Sequence, residues 1–319
     1  MDDQYPPDFP KTQLEFEDRF STEEACRSYL LSLRWPHGFS CPNCGHTHGW
    51  VNNRNLIECS NCHYQGSLTA GTILEGTRKP LRMWFIAMWW VCTQKTGGSA
   101  VGLKRILGLG SYKTAWTWLH KIRTAMIRGG REKLSHKVQI DDAFIGGEES
   151  GVSGRESFKK ARIVVAVEIK ETGRGLGRIR IRHIPDFSAS SLIPFVMDFV
   201  EPGSVVQTDG WRGYSSLEVK GFQHIIIRAN SSPETPLPHV NRVISLLKRW
   251  LLGTHQGRVS QKHLQHYLDE FVFRHNRRKS KHVGLLFQRI VKQSSESTPF
   301  PYKKIVGLAS GPSQHELKE

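Results

Sequence analysis

The ten residues VQIDDAFIGG, 138–147, decide the fold. Val138 and Ile140 alternate with polar neighbours, the period of a β-strand. Successive strand side chains point to opposite faces, so only one of Asp141 and Asp142 can enter any given pocket. Neither Ile140 nor the following FIGG decides which. Downstream, ARIVVAVEI (161–169) and GRIRIRHI (177–184) read as two more strands, and SASSLIPFVMDFV (188–200) as a helix. GSVVQTDG (203–210) is a strand ending in a turn, FQHIIIRAN (222–230) another strand, and 240–290 shows helical periodicity twice, broken at GTHQGRVS. The order gives an α/β fold, a mixed sheet flanked by helices.

The second acidic landmark is Asp209, at the end of its strand and before a glycine. Carboxylates at strand ends of an α/β sheet gather where ligands bind. Alone, either aspartate is a turn or cap residue. As a pair on adjacent strands they suit Mg2+, a hard cation that takes oxygen ligands. With a second ion, metals about 3.5–4 Å apart activate a water or a 3′-hydroxyl and steady the leaving oxygen.

Upstream, Cys41-x2-Cys44 and Cys59-x2-Cys62 are separated by 14 residues. Two such knuckles close a tetrahedral four-thiolate site, a zinc ribbon, and a site closed by four sulfurs is structural. His46, His48 and His63 are nearby alternates, while Cys26 and Cys92 lie on apolar helical faces and read as core. Before the ribbon, STEEACRSYLLSLRW (21–35) opens with the Ser21/Glu24 spacing of a capping box and reads as a helix that Pro36 ends.

After the ribbon, GGSAVGLKRILGLGSYKTAWTWLHKI (97–122) reads as a helix-turn-helix: Ser99 to Leu107, a GLG turn, and Ser111 capping the second helix. Ser111, Tyr112, Lys113, Thr117 and Lys121 are its candidate DNA contacts, since the first turns of a recognition helix meet the major groove. A helical hairpin with a solvated face is the competing reading, and charge decides against it. The chain carries 45 Lys+Arg against 29 Asp+Glu, a net charge of +16, and a pI near 9.8. Residues 75–137 hold 13 basic residues against Glu75 and Glu132, and 239–290 hold 11 against Asp269 and Glu270. Two basic surfaces favour a polyanionic partner.

No secretory signal is read in MDDQYPPDFP, and the apolar run MWFIAMWWVC is about half a bilayer span. The expectation is a cytoplasmic chain, nucleoid-associated, with no membrane partner. Its six cysteines then read as metal ligands or buried thiols.

Taken together, SYKTAWTWLHKIR, IDDAFIGG, TDGWRGY, LLKRWLLGTHQG and HLQHYLDEFVFRHNRR resemble a known group over nearly all of the chain. The group is the bacterial insertion-sequence transposases that join a zinc ribbon, a helix-turn-helix and an RNase H-like DDE-type domain. The resemblance implies a catalytic aspartate on the first strand, another on the fourth, and a third ligand on a late helix seven residues before a lysine. Asp141 and Asp209 match the first two; the lysine is Lys248, and seven residues before it stands Asn241. Seven residues is nearly two helical turns, so Asn241 and Lys248 share a face that His239 does not. An amide carbonyl can ligate Mg2+ and an ammonium can hold a phosphate. The resemblance implies tolerance of Glu, Asn or His at the third position; Glu234 and His239 are the alternatives in this chain, and His239 is the poorer match to Mg2+.

The domains expected are an N-terminal helical segment (1–40), a zinc ribbon (41–72), a helix-turn-helix region (80–132), an RNase H-like catalytic domain (136–290) and a C-terminal tail (291–319). Arg249, Arg274, Arg277 and Arg278 are candidate DNA-backbone contacts, and Trp211 a candidate stacking platform for an unpaired base. The function expected is binding of terminal inverted repeats, then Mg2+- or Mn2+-dependent cleavage and strand transfer to target DNA, with structural Zn2+ and a homodimer or larger synaptic complex. The alternative is a catalytically inactive or domesticated zinc-ribbon DNA-binding regulator.

Overall fold

The computed structural model describes residues 8–147, 159–170, 175–228, 236–257 and 259–307. The chain begins with α1 (Gln13–Arg19), α2 (Glu23–Arg34), β1 (Gly49–Val51), β2 (Ile57–Cys59), β3 (Gln65–Gly66), α3 (Leu81–Thr93), α4 (Ala100–Ile106) and α5 (Tyr112–Ala125). There follow β4 (Lys137–Ile145), β5 (Ala161–Ile169), β6 (Leu176–Ile184), α6 (Ala189–Phe199), β7 (Val205–Thr208) and β8 (Gln223–Ile226). The last elements are α7 (Pro238–His255), α8 (Leu264–Asn276), α9 (Val283–Glu296) and α10 (Tyr302–Ile305). No helix among the described residues is long and apolar enough to cross a membrane.

Two compact units divide the chain, one of Met1–Gly129 with Ser280–Glu319, the other of Gly130–Lys279. The sequence reading carries the catalytic domain to 290 and leaves a tail; the structure instead ends that unit at Lys279 and gives α9 to the N-terminal helices. The cause is an aromatic core. Phe287 of α9 sits against Phe16, Phe20, Phe85 and Trp89, with ring centroids 5.4 to 5.6 Å apart. The Gly284 backbone lies so close to Pro10 that an added Cβ would stand 1.7 Å from its carbonyl oxygen. Only glycine allows α9 that approach. At α2 the cap is Thr22, whose hydroxyl accepts from Ala25 N–H at 3.1 Å, and Ser21 bonds back to Asp18.

In the second unit the strand order is β6-β5-β4-β7-β8. β6, β5 and β4 run antiparallel, whereas β4, β7 and β8 are parallel. This five-stranded mixed sheet flanked by helices is the RNase H-like arrangement. Alternation along β4 assigns its faces. Val138, Ile140 and Phe144 pack with α6, while Ala143 and Ile145 pack with α7 and α8.

β6 is an edge strand, which α8 covers. Asn276 accepts from Ile179 N–H at 2.8 Å and donates to its carbonyl at 3.2 Å. Three turns earlier, Gln265 accepts from His183 N–H at 2.9 Å and donates to Asp269 at 3.0 Å. Two amides thus occupy backbone groups that another strand could pair with. Asp269 is wholly buried, and desolvation pushes its carboxyl up to about 7 against the pull of Gln265, Arg131 and Arg182.

Asn276→Ala is expected to destabilise the chain by about 1–2 kcal/mol in urea unfolding. Asp269 ionises in the unfolded chain from about pH 4 upward, but in the folded one only near 7. Its contribution to stability therefore falls as pH rises through that window. Asp269→Asn should flatten the loss, read as the difference between urea midpoints at either end.

Candidate active site and metal centre

The two knuckles of the ribbon fold alike. Cys41 N–H donates to His46 O and Gly45 N–H to Cys41 O; Cys59 N–H donates to Tyr64 O and His63 N–H to Cys59 O. Gly45 and His63 both take the left-handed conformation, at φ 73° and 55°. His63 is therefore the turn residue that aims Cys62, not an alternate ligand. All four sulfurs lie within 4.8 Å of one another, with Cys41–Cys62 at 3.6 Å and Cys44–Cys59 at 3.7 Å. A tetrahedron of Zn–S bonds of about 2.3 Å has sulfur–sulfur edges of about 3.8 Å, so the donor set fits Zn2+. The Asn43 amide and the Tyr64 backbone draw the Cys62 thiol down to about 6, while the Cys44 thiol, against the pull of the His46 backbone, is raised to about 11 by its bond with Cys62.

The two helices α4 and α5 have the expected caps: Ser99 accepts from Gly102 N–H at 3.1 Å and Ser111 from Lys113 N–H at 3.2 Å. Tyr112 and Lys113 are exposed at the start of α5. Thr117 is half-buried and its hydroxyl donates to Lys113 O at 2.7 Å. Lys121 overturns the reading of it as a DNA contact. From Trp118 onward α5 is buried on all sides, with Trp118 stacked on Trp84 at 3.8 Å. The Lys121 ammonium stands 5.9 Å from the Trp84 ring centroid, and burial lowers its pKa.

The carboxylate pair is set by strand register. β4 and β7 pair residue for residue through Gln139↔Gln207. Asp141 stands two residues further along β4, and Asp209 two residues beyond Gln207, just past the end of β7. By alternation Asp141 shares the face of Gln139 and Ala143, beneath α7, whereas Asp142 shares that of Ile140 and Phe144, toward α6. Asp209 starts a turn: its carboxylate accepts from Trp211 N–H at 3.0 Å. Gly210 follows at φ 84°, and a Cβ there would meet Ile226 at 2.6 Å.

Asn241 is half-buried in the first turns of α7, and its amide donates to Leu237 O at 3.0 Å. Lys248 and Arg249 are exposed further along the helix. His239 sits in the first turn with a buried Nδ1. Among the described residues the four cysteines are the set of three or more His, Cys, Asp or Glu ligand atoms within 4.8 Å, so His239 does not complete a cluster with the two aspartates. Glu234 lies outside the described residues.

Four more expectations are corrected. The Trp211 indole donates to Phe187 O at 2.8 Å and its ring packs on the α6-side core, so it is not a platform for a base. Arg274 is mostly buried and paired with Glu270 at 2.9 Å. Arg277 lies over the Phe273 ring at 4.1 Å. Arg278 donates to His275 O at 2.7 Å and to Leu176 O, tying α8 to β6. Of the three, Arg278 holds the edge strand, while Arg274 and Arg277 are engaged along their own helix.

Sequence reasoning missed Gln139 and Gln207, which are buried and joined amide to amide at 3.2 Å. The signal is present: both aspartates occur as Gln-x-Asp, in QID and QTD. Residues two apart on a strand share a face.

The family model described as "ISXO2-like transposase domain" matches residues 133–276, and that described as "Transposase zinc-ribbon domain" matches residues 21–65. A protein of Halobacterium salinarum, "Uncharacterized protein in transposable element ISH50", is 24% identical over 278 residues, covering 80% of this chain and 91% of the relative. An "Uncharacterized transposase-like protein" of Haemophilus influenzae is 30% identical over 118 residues, covering 35% of this chain and 91% of the relative. Among solved structures, a simian T-cell lymphotropic virus intasome in complex with PP2A regulatory subunit B56 gamma matches at 17% identity and a TM-score of 0.30, covering 56% of this chain and 64% of that one. The chain belongs to the insertion-sequence transposases that carry an N-terminal zinc ribbon.

The purified chain is expected to hold one Zn2+ on its four cysteines by elemental analysis. Chelation, or Cys59→Ser, should release it and strip amide-exchange protection from β1–β3 while the five-stranded sheet keeps its own.

Proposed function

We propose that this chain is a DNA transposase that binds the terminal inverted repeats of its element, cleaves their phosphodiester bonds with a divalent metal and joins the freed 3′-hydroxyl to target DNA. The observation that carries the proposal is the in-register parallel pairing of β4 with β7, which sets two Gln-x-Asp segments side by side beneath the helix bearing Asn241.

Asp141, Asp209 and the Asn241 side-chain carbonyl form a set of hard oxygen donors suited to Mg2+ or Mn2+. Bound there, divalent ions make a water or 3′-hydroxyl nucleophilic at neutral pH and offset charge on the phosphate. The back-bond to Leu237 fixes the Asn241 amide. Lys248, on the same helical face two turns on, supplies an ammonium to a DNA phosphate, with Arg249 beside it. In the other unit Tyr112 and Lys113 meet the repeat, while Ser111 and the Thr117 hydroxyl hold the start of α5 in shape. Synapsis of two ends calls for at least a homodimer, and the work belongs to the nucleoid of a bacterial cytoplasm.

With a labelled element-end duplex, wild type should show Mg2+- or Mn2+-dependent strand transfer that falls to background in Asp141→Ala, Asp209→Ala and Asn241→Ala. Asp142→Ala, on the far face, should retain it. Repeat binding without strand transfer in either metal would defeat the proposal and leave a DNA-binding regulator. Affinity measured against salt separates the basic residues of α5: Lys113→Ala should lower the log–log slope by about 1, and Lys121→Met should leave it unchanged.

A further inference from the structure

α7 begins without a cap of its own. Its N-cap residue is Leu237, which offers no side-chain acceptor, and Pro238 at the first helical position has no N–H. The next two backbone donors would be orphaned, yet both are satisfied from the sheet. His239 N–H and Val240 N–H donate to Gln139 Oε1 at 3.0 and 3.3 Å. The other end of that amide donates to Gln207 Oε1 at 3.2 Å. Gln139 is 4% exposed and Gln207 8%. One chain of amides therefore ties together β4, β7 and α7: β4 carries Asp141, β7 leads directly into Asp209, and α7 carries Asn241.

The residue type matters. A leucine or methionine at 139 would fill the space but strand two helix N–H groups and the Gln207 carbonyl. A carboxylate would serve the helix but place another charge beneath the aspartates. Glutamine accepts from the helix and donates across the strands while staying neutral. Asn241 follows directly after Val240, so the position of the first turn is the position of Asn241.

We propose that Gln139, backed by Gln207, is a positioning residue that sets Asn241 against the two aspartates and thereby sets how tightly and how selectively the site holds Mg2+. The inference rests on reading Asp141, Asp209 and Asn241 as the metal ligands. Mg2+ demands near-ideal octahedral geometry and Ca2+ accepts irregular sites. A displaced Asn241 therefore costs Mg2+ more than Ca2+.

The test uses the full chain and titrates Mg2+ and Ca2+ calorimetrically into wild type, Gln139→Met and Gln139→Glu, with and without Asn241→Ala, and into Asp209→Ala. Amide exchange at His239 and Val240 is followed in parallel. Gln139→Met should weaken Mg2+ binding about 10- to 100-fold, affect Ca2+ less, and speed exchange at those two amides while β4 and β7 stay protected. Gln139→Glu, which keeps the acceptor, should hold the two amides near their native exchange rates. In the Asn241→Ala background, Gln139→Met should add little, because both changes remove one interaction. Native Mg2+ affinity in Gln139→Met, or an equal loss with and without Asn241, would overturn the inference while leaving the ligand assignment in place. Mg2+ binding indifferent to Asp209→Ala would bring down the assignment itself, and this inference with it.

Discussion

The parallel pairing of β4 with β7 is the constraint on which the rest of this unit depends. Two strands distant in sequence meet in parallel so that glutamine lies on glutamine, and each glutamine is followed two residues later by an aspartate. Side-chain period along a strand is two, and a slip of one residue would turn Asp141 toward α6 and Asp142 toward α7. The apolar residues between them prevent it: Val138, Ile140 and Val206 are buried in the α6-side core. The face that carries Asp141 is specified by what is packed on the opposite face.

Charge is used differently in different places. A chain of +16 suggests that basic residues are for DNA, and several are not. Lys121 is enclosed beside a tryptophan pair, Arg274 neutralises a buried glutamate, and Arg278 serves backbone carbonyls of an edge strand. A cation as enclosed as Lys121 or Arg274 sits against a ring or a carboxylate because an unpartnered one costs too much, whereas Arg278 is exposed and donates to backbone carbonyls. Lys113, Lys248 and Arg249 are exposed, the first at the start of α5 and the other two on the helix that bears Asn241.

Much of this was legible from sequence. The succession of strands and helices along the chain follows from period and spacing, the Cys-x-x-Cys knuckles are self-evident, and Ser99 and Ser111 announce their helices. What escaped was whatever depends on contacts between distant segments. Nothing local in VGLLFQRI says that Phe287 completes an aromatic core built from the N-terminal helices, so a boundary at 290 cuts through α9. HNRR looked like a DNA clamp because the partner of Asn276 is a strand nearly a hundred residues away. Trp211 failed for the same reason, its ring N–H being met by Phe187. The choice between Asp141 and Asp142 needed only the core contacts of their neighbours.

The central claim is that Asp141, Asp209 and Asn241 converge on one divalent-ion site. Anomalous diffraction from crystals soaked in Mn2+ tests it directly. The account predicts an anomalous peak between the two aspartates with the Asn241 side-chain oxygen in its coordination shell. A peak on Asp142 or His239, or one from which Asn241 is turned away, would contradict it.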